Sequence, residues 1–290
     1  MPTYLVAGAA GRTGSVVAQT LLDQKSKVRV LVHDAAKGER WKKRGAEVAV
    51  GAIDDPHAIA AALRGAEAAY FLIPPPPPSA SGILARARKF AEAIVQTVSG
   101  SHLKQVVFLS SVGAQLSDGI GMIQALHLAE ETLRASKTPI TFLRACYFVE
   151  NWGAALEGAR NGELHTFFPA DFTFPQVGTH DIGRLAAELL TEHPKAHRNV
   201  ELAGPVDASP SDVAAVLSKL LESEVKPVSA PVTTVAAAFQ GFGFSPEQAG
   251  LFQEMYAAII SRRVTFESPA TVRRGKETLE QTLGALLKRG

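Results

Sequence analysis

Short apolar runs alternate with segments of helical periodicity along the first half of the chain. The apolar runs predict strands over residues 4–7, 27–32, 47–50, 68–73, 105–109 and 140–143. Apolar positions at helical spacing predict helices over residues 13–22, 37–44, 56–63, 83–98 and 126–135. This alternation implies parallel strand pairing with right-handed crossovers. Because most strands are unbroken apolar runs, we expect helices on both faces, as in a doubly wound α/β fold of the Rossmann type.

The second half of the chain loses this regular alternation. The pattern predicts helices over residues 151–161, 181–192, 211–221, most of 231–263 and 276–287, and a late strand over residues 200–202. Asp181 is expected to cap its helix. We therefore predict a Rossmann body over residues 1–150, with later returns over about 176–205. A smaller α+β lobe that binds substrate is predicted over residues 151–290.

The first strand ends in a glycine-rich turn. Residues 8–14 read Gly-Ala-Ala-Gly-Arg-Thr-Gly, a G-x-x-G-x-x-G spacing that differs from the dinucleotide fingerprint G-x-G-x-x-G. Glycines here permit a sharp turn and a close approach of backbone N–H groups, and a helix N-terminus attracts phosphates. An ordinary strand-to-helix turn would look similar, but the context on both sides favours a nucleotide site. Its predicted residues are Gly8, Ala10, Gly11, Arg12, Thr13 and Gly14.

The end of the second strand bears on which dinucleotide binds. An acid at this point accepts hydrogen bonds from the ribose 2′-OH, whereas a cation pairs with the 2′-phosphate. Asp34 fits the first role. His33, Lys37 and Arg40, together with Arg12 of the glycine turn, fit the second, although a solvated helix face would also explain Lys37 and Arg40. The balance favours NADP(H) and leaves NAD(H) open.

Composition narrows the class of protein. The chain has 290 residues, 46% of them hydrophobic, and a net charge of +2 without a Lys/Arg block, so we expect no direct nucleic-acid contact. The single cysteine, Cys146, fits a reducing compartment. The histidines lack metal-ligand spacing, so no metal is expected. No signal peptide or membrane-spanning run is visible, which predicts a cytoplasmic protein without a membrane partner; a homodimer stays open.

Five prolines, residues 74–78, directly follow the fourth strand. They form a stiff segment that has no backbone donors. This segment is either a rigid spacer on the rim of the sheet or a wall beside the nicotinamide, because ligands bind at the carboxyl ends of the strands in such sheets. Ile73 and Pro74 are accordingly predicted to line the cofactor site.

Several further stretches, taken with the glycine turn, carry a family resemblance. They are residues 131–151, with a glutamate helix, a strand and an aromatic-Asn turn, and residues 181–183, 202–205 and 274–279. Together they resemble the NmrA-like group of atypical short-chain dehydrogenase/reductase proteins over nearly the whole chain. The resemblance implies a Rossmann body that binds NADP(H) under a small lobe. Members include quinone, azo dye and triphenylmethane dye reductases, relatives of isoflavone reductases, and non-catalytic redox sensors.

The resemblance also implies particular site residues. Ser110 and Ser111 match serines that approach the nicotinamide ribose. Ala52 stands where the group has an aspartate near the adenine, so Asp54 is the nearest substitute. The arginine that the group has after its second strand is His33 here.

The Tyr-x-x-x-Lys pair of typical short-chain dehydrogenases is missing, because Ile123 and His127 stand at the matching positions. This argues against ordinary alcohol dehydrogenase chemistry, in which a developing alkoxide needs a proton donor. His127 is the candidate to protonate or orient a substrate, unless it is simply a helix histidine.

Aromatic residues follow the sixth strand and recur in the second half of the chain. Tyr147, Phe148 and Asn151 are predicted to line the substrate pocket, although packing and capping use the same residue types. Residues 167, 168 and 174 are phenylalanines that suit either a lid over a flat substrate or the core of the small lobe.

The function that these features predict is NADPH-dependent reduction of a small flat electrophile, such as a quinone or an azo dye, by hydride transfer. Such acceptors need little acid–base assistance, and the cofactor carries the difficult chemistry. The alternative is a non-catalytic NADP(H) sensor that regulates a protein partner. An isomerase or dehydratase that uses a bound nucleotide ranks last.

Overall fold

A computed structural model describes residues 1–288; the last two residues of the predicted small lobe lie outside them. The strands are β1 (Thr3–Ala7), β2 (Lys27–Val32), β3 (Glu47–Val50), β4 (Ala66–Leu72), β5 (Gln105–Ser111), β6 (Ile140–Ala145), β7 (Tyr147–Phe148), β8 (Glu163–Thr166), β9 (Gln176–Val177), β10 (Arg198–Ala203), β11 (Lys226–Ser229) and β12 (Arg273–Arg274). The α-helices are α1 (Arg12–Asp23), α2 (Ala35–Lys42), α3 (Pro56–Leu63), α4 (Ile83–Val98), α5 (Gln124–Leu133), α6 (Leu156–Arg160), α7 (Thr179–Leu190), α8 (Pro210–Leu221), α9 (Val235–Gly241), α10 (Pro246–Ile260) and α11 (Leu279–Leu287).

Eight strands form one sheet in the order β12-β10-β6-β5-β4-β1-β2-β3. Every pairing in this sheet is parallel. The order 3-2-1-4-5-6 is that of the Rossmann fold, and β10 and β12 extend the sheet beyond β6. The predicted doubly wound fold is therefore confirmed. Because all eight strands run in the same direction, the loops at their carboxyl ends gather along one edge of the sheet.

Two apolar cores lie on opposite faces of this sheet, because successive side chains of a strand point to opposite sides. In β1, Val6 packs into the core under α1 and α7, whereas Leu5 packs into the core under α3, α4 and α5. Both side chains have no exposed surface. Because both faces of the sheet are buried, successive residues of most strands are apolar, which explains the continuous apolar runs in the sequence.

A third core lies in the C-terminal half, where Phe168, Leu217 and Leu283 are buried together. Two short parallel pairs, β7 with β9 and β8 with β11, flank it. These strands of two to four residues were not predicted, because so short a segment shows no periodicity. The predicted helix over residues 151–161 is instead a 3₁₀ helix, Val149–Ala155, followed by α6.

The prediction that Asp181 caps its helix is wrong. Helix α7 begins at Thr179, and Gly178 is its N-cap residue. The Asp181 carboxylate accepts hydrogen bonds from the backbone N–H groups of Lys276 (2.8 Å) and Glu277 (2.7 Å). Its role is to hold the C-terminal segment against the first turn of α7.

Cys146 is buried in the core, and burial raises the pKa of its thiol. A thiol in this environment is a packing group and a poor nucleophile. Among the helices of residues 1–288, none has both the length and the apolar character that crossing a membrane requires. Within the same range, no three His, Cys, Asp or Glu side chains are grouped in a way that could hold a metal ion.

Candidate functional site

The glycine turn brings the start of α1 close to the end of β1. Gly8 has a φ of +70°, and its carbonyl oxygen accepts a hydrogen bond from Gly11 N–H (2.9 Å). A Cβ at Gly14 would overlap the Gly8 carbonyl and lie 2.7 Å from its carbon. No side chain caps the N-terminus of α1, and its first turn contains no acidic residue. The N-terminus of α1 therefore presents unpaired N–H groups and a partial positive charge. The glycines of the turn have no side chains that would block a ligand, so this arrangement suits a pyrophosphate.

Two predicted residues of this turn serve as anchors. Thr13 is buried, and its hydroxyl accepts a hydrogen bond from Tyr70 of β4 (3.1 Å). Arg12 Nη1 donates to the backbone oxygen of Glu150 (3.1 Å), 138 positions further along the chain. The Glu150 carboxylate in turn accepts hydrogen bonds from the backbone N–H and the hydroxyl of Thr179. Arg12 thus connects the cofactor turn to the segment after β6 and to α7; Ala10 is exposed.

The structure brings together part of the predicted basic cluster. Lys37 Nζ lies 3.3 Å from His33 Nε2, and Arg40 Nη2 donates to the carbonyl oxygen of Ala9 (2.6 Å). Arg12 Nη1 is engaged with the backbone oxygen of Glu150, and its place in the 2′-phosphate cluster stays a prediction. Asp34 caps α2 by accepting a hydrogen bond from Ala36 N–H (2.9 Å). One of its oxygens is therefore already used by its own helix.

The remaining cofactor candidates lie in the loops that follow β3 and β4. Asp54 is exposed after β3, while the neighbouring Asp55 caps α3 through His57 N–H (2.9 Å). Ile73 is half-buried and Pro74 is exposed at the end of β4. The lining role of Asp54, Ile73 and Pro74 stays a prediction.

The proline loop is fixed to α10 by hydrogen bonds. Gln248 is 1% exposed, and its side-chain amide donates to the carbonyl oxygens of Pro77, Pro78 and Ala80 (2.7–3.0 Å). Ser245 donates from its backbone N–H to Pro78 (2.8 Å) and from its hydroxyl to Ala80 (2.7 Å). The proline carbonyls thus serve as acceptors for α10, and the loop joins the sheet edge to the C-terminal half.

The same helix supplies the cap of α4. Gly82, the N-cap residue of α4, has no side chain to offer. The Glu247 carboxylate accepts hydrogen bonds from Gly82 N–H (2.6 Å) and Ile83 N–H (2.9 Å). A negative charge at a helix N-terminus is stabilising, so α10 and α4 support each other.

The two predicted serines of β5 have different environments. Ser110 is buried, and its hydroxyl donates to Glu130 Oε1 of α5 (2.6 Å). The Ser110 proton is thus donated to Glu130, while the hydroxyl oxygen can still accept a hydrogen bond, and its contact with a ribose stays a prediction. Ser111 is half-buried and donates only to the carbonyl oxygen of Val112 (2.9 Å). Of the pair, Ser111 keeps the better access to the edge.

His127 lies on α5 with its ring half-buried. Its Nδ1 is 2.9 Å from the carbonyl oxygen of Ala114, in the loop after β5. A carbonyl only accepts hydrogen bonds, so Nδ1 carries the proton in this contact and a neutral ring keeps its lone pair on Nε2. Ile123, at the other position of the missing pair, is buried in the apolar contact between this loop and α10.

The residues after β6 belong to an aromatic cluster. The Tyr147 ring packs edge-on against Phe168 and Phe174, with both centroids 5.4 Å away. Burial raises the pKa of Tyr147 well above its usual value, and Tyr256 of α10 raises it further, whereas a hydrogen bond with Asn151 lowers it. The tyrosine hydroxyl therefore stays protonated at neutral pH. Phe148 is half-buried.

Of the three phenylalanines considered for a lid, two are core residues. Phe168 has no exposed surface and Phe174 is 2% exposed. Phe167 is half-buried and packs against Tyr256 (centroids 5.6 Å apart) and Phe239 (6.3 Å). Sequence reasoning missed Tyr256, Gln248 and Glu150, because only the folded chain places them beside the loops of the sheet edge.

Three carboxylates meet at the start of α7. Glu150 Oε2 and Glu277 Oε2 are buried without a hydrogen-bond partner among residues 1–288, and Asp181 lies nearby. Burial raises the pKa of Glu277, and the charges of Glu150 and Asp181 raise it further. A raised carboxyl pKa means that the fold favours the protonated form. The protonated Glu277 carboxyl therefore contributes to the free energy of unfolding. This contribution is complete below the unfolded-state pKa of about 4.3 and is lost as the pH rises through the folded-state pKa.

Replacing Glu277 by glutamine is therefore expected to raise the melting temperature at pH 7. The rise should be only about 1–2 °C, because water screens the half-buried carboxylate. The amide carries no charge, so it removes both the desolvation of a carboxylate and its repulsion by Glu150 and Asp181. The gain should disappear at pH 4, where the wild-type carboxyl is protonated. Thermal melts at both pH values measure it, with the exposed Glu254→Gln as control. An equal gain at both pH values would contradict the electrostatic explanation.

Parallel strands in this order, with a glycine turn leading into an uncapped helix, define a Rossmann-type dinucleotide-binding fold. Residues 2–262 match the NmrA-like family, and the chain belongs to it. The resemblance noted in the sequence is thereby confirmed.

The chain is similar to several characterised reductases. An NAD(P)H azoreductase of Xenophilus azovorans is 24% identical over 254 residues, which are 87% of this chain and 86% of that protein. An NADPH-dependent quinone oxidoreductase of Escherichia coli, solved in complex with NADPH, has a TM-score of 0.80 at 21% identity, covering 98% of this chain and 99% of that one. A triphenylmethane reductase of Citrobacter sp. has a TM-score of 0.74 at 19% identity, covering 100% and 99%.

Proposed function

We propose that this chain is an NADPH-dependent reductase of small flat electrophiles such as quinones or azo dyes. The observation that carries the proposal is the glycine turn, where an uncapped helix N-terminus lies beside a backbone that has no room for a Cβ at Gly14. These features fit a pyrophosphate. Bound NADPH would supply the hydride, and the protein would bind and orient both reactants.

The charges at the end of β2 support NADPH over NADH. His33 and Lys37 are both exposed and lie in contact, so they can meet a 2′-phosphate together. Asp34, the residue that would favour NADH, already has an oxygen committed to α2. A lysine ammonium pairs readily with phosphate. The names of the two similar proteins agree with this choice, because the azoreductase is named for NAD(P)H and the quinone oxidoreductase for NADPH.

The limited acid–base equipment supports easily reduced acceptors. Ile123 and His127 replace the Tyr-Lys pair that protonates a ketone oxygen, and Ile123 is buried. In the neutral ring, Nε2 is unprotonated, so His127 would have to be protonated at both nitrogens to donate from it. This fits acceptors whose products water or a single histidine can protonate. Phe167, Phe239 and Tyr256 offer a half-buried aromatic surface to a flat ring.

The first test is NADPH consumption by the purified protein with a panel of quinones and azo dyes, compared with NADH. We expect acceptor-dependent turnover that prefers NADPH. Cofactor binding without turnover across the panel would contradict the reductase and favour the NADP(H) sensor. The missing Tyr-Lys pair is the observation behind that second function.

Variants of His127 test its part in the reaction. His127→Asn keeps an N–H donor near the Nδ1 position but removes the ring nitrogen that faces away from Ala114. We expect it to lower kcat by about 10-fold or more, because the variant lacks the ring nitrogen that would take part in proton transfer. The exposed His102→Asn is the matched control. An unchanged kcat would mean that His127 only anchors the loop after β5.

A further inference from the structure

A groove of about 610 Å³ follows the outer side of α1 between α2 and α7. It begins at Ser15, near the glycine turn, and extends to Asp23 at the end of α1. Since α1 runs back from the carboxyl edge of the sheet, the groove leads away from the loops that form the cofactor site. It is a separate feature of the surface.

Positive side chains border this groove on both sides. Arg40 and Arg44 come from the α2 side, and Arg184 comes from α7, where the imidazole of His180 also lines the groove. Within residues 1–288, none of the three arginines forms an ion pair with a carboxylate. The one acid in the lining, Asp23, accepts a hydrogen bond from Gln19 (2.6 Å). The groove therefore has an excess of positive charge.

Trp41 holds two of these arginines in place. Its ring is 2% exposed, and the guanidinium carbons of Arg40 and Arg44 lie 4.8 Å and 6.0 Å from the ring centroid. Cation–π contact at these distances limits how far the side chains move. The indole N–H of Trp41 also has no acceptor among the described residues. The guanidinium groups of Arg40 and Arg44 are thus prearranged donors on one side of the groove.

We propose that this groove binds a small anion that carries at least two phosphate or carboxylate groups. Guanidinium groups present paired N–H donors that match the oxygens of phosphate and carboxylate. One anionic group would pair with Arg44 and its neighbour Arg40, and the second with Arg184 across α1. Because the positive charges lie on two separate sides of the groove, a ligand needs two anionic groups to pair with both sides.

The test is calorimetric titration of the full chain with inorganic pyrophosphate and, separately, with citrate, in the presence of saturating NADP⁺ so that the glycine turn is occupied. Arg40 also binds Ala9 in that turn, so the test variants are Arg44→Ala and Arg184→Ala. Both residues are exposed, and their loss leaves the core intact. We expect each variant to weaken binding by about 10-fold or more, as expected for a charged hydrogen bond. Arg86→Ala, an exposed arginine of α4, should have no effect.

Fluorescence provides a second, local readout. The sequence has two tryptophans, so Trp152→Phe leaves Trp41 as the only indole. We expect saturable quenching or enhancement of Trp41 emission at the concentrations that calorimetry gives. Failure of both anions to bind would overturn the proposal, as would equal weakening by Arg86→Ala. Binding of an acidic peptide without either small anion would also overturn it and assign the groove to a protein partner.

Discussion

Replacing Arg144 by methionine is expected to lower the free energy of unfolding by about 3–5 kcal/mol. Arg144 is 1% exposed, and its guanidinium donates to Glu130 Oε1 (2.9 Å), Glu130 Oε2 (2.6 Å) and Glu267 Oε2 (2.7 Å). Burial alone would lower the pKa of Arg144, but the two carboxylates more than offset it and raise the pKa. The variant leaves Glu130, also 1% exposed, as a buried carboxylate without its main partner.

Urea denaturation of Arg144→Met measures this loss. The double variant Arg144→Met/Glu130→Leu removes both charges and is expected to recover most of it, because an apolar pair replaces a buried ion pair at little net cost. A single variant as stable as the wild type would show that water or another cation neutralises Glu130. Equal losses in the single and double variants would assign the effect to packing.

Replacing Gly14 by alanine is expected to weaken NADPH binding by about 10-fold or more, the loss expected when hydrogen bonds to a charged group are disturbed. The new Cβ would overlap the Gly8 carbonyl and approach the Ala7 carbonyl oxygen to 3.0 Å. These atoms belong to the backbone, so the methyl group can fit only if α1 moves away from β1. That movement shifts the N–H groups that would meet the pyrophosphate.

A fluorescence titration with NADPH measures the affinity, and a denaturation curve shows whether the variant still folds. Gly100→Ala is the matched control, because its Cβ would meet nothing within 4 Å. Affinity equal to that of the wild type in a folded Gly14→Ala protein would refute the glycine turn as the pyrophosphate site.

The sequence predicted the sheet well because its signals are local. Six apolar runs in the first half became β1 to β6, and the glycine turn marked where the first strand meets α1. The errors at element ends have local causes. Helix α2 begins at Ala35 rather than at residue 37, because Asp34 caps it. Helix α5 begins at Gln124 rather than at residue 126, directly after a 3₁₀ turn.

The candidate site was harder to predict, because its contacts join distant parts of the chain. Nothing near Arg12 in the sequence indicates that it reaches Glu150, and the serine pattern of β5 does not reveal that Ser110 faces Glu130. Whether a polar side chain binds a ligand or forms a hydrogen bond within the protein can be decided only when its neighbours are known. The roles assigned to Ser111, His127 and Asn151 therefore stay predictions, as does the division into two lobes.

The connection of the proline loop to α10 has a consequence for synthesis on the ribosome. Chains emerge from the N-terminus, and their domains generally fold as units. Here Glu247 caps α4, and β12, at residues 273–274, completes the sheet. The nascent chain thus carries an uncapped α4 until residue 247 has been synthesised, and its sheet lacks the last strand until residue 274. Premature termination between residues 98 and 247 would therefore release a polypeptide whose α4 has lost its N-terminal cap and is less stable for it.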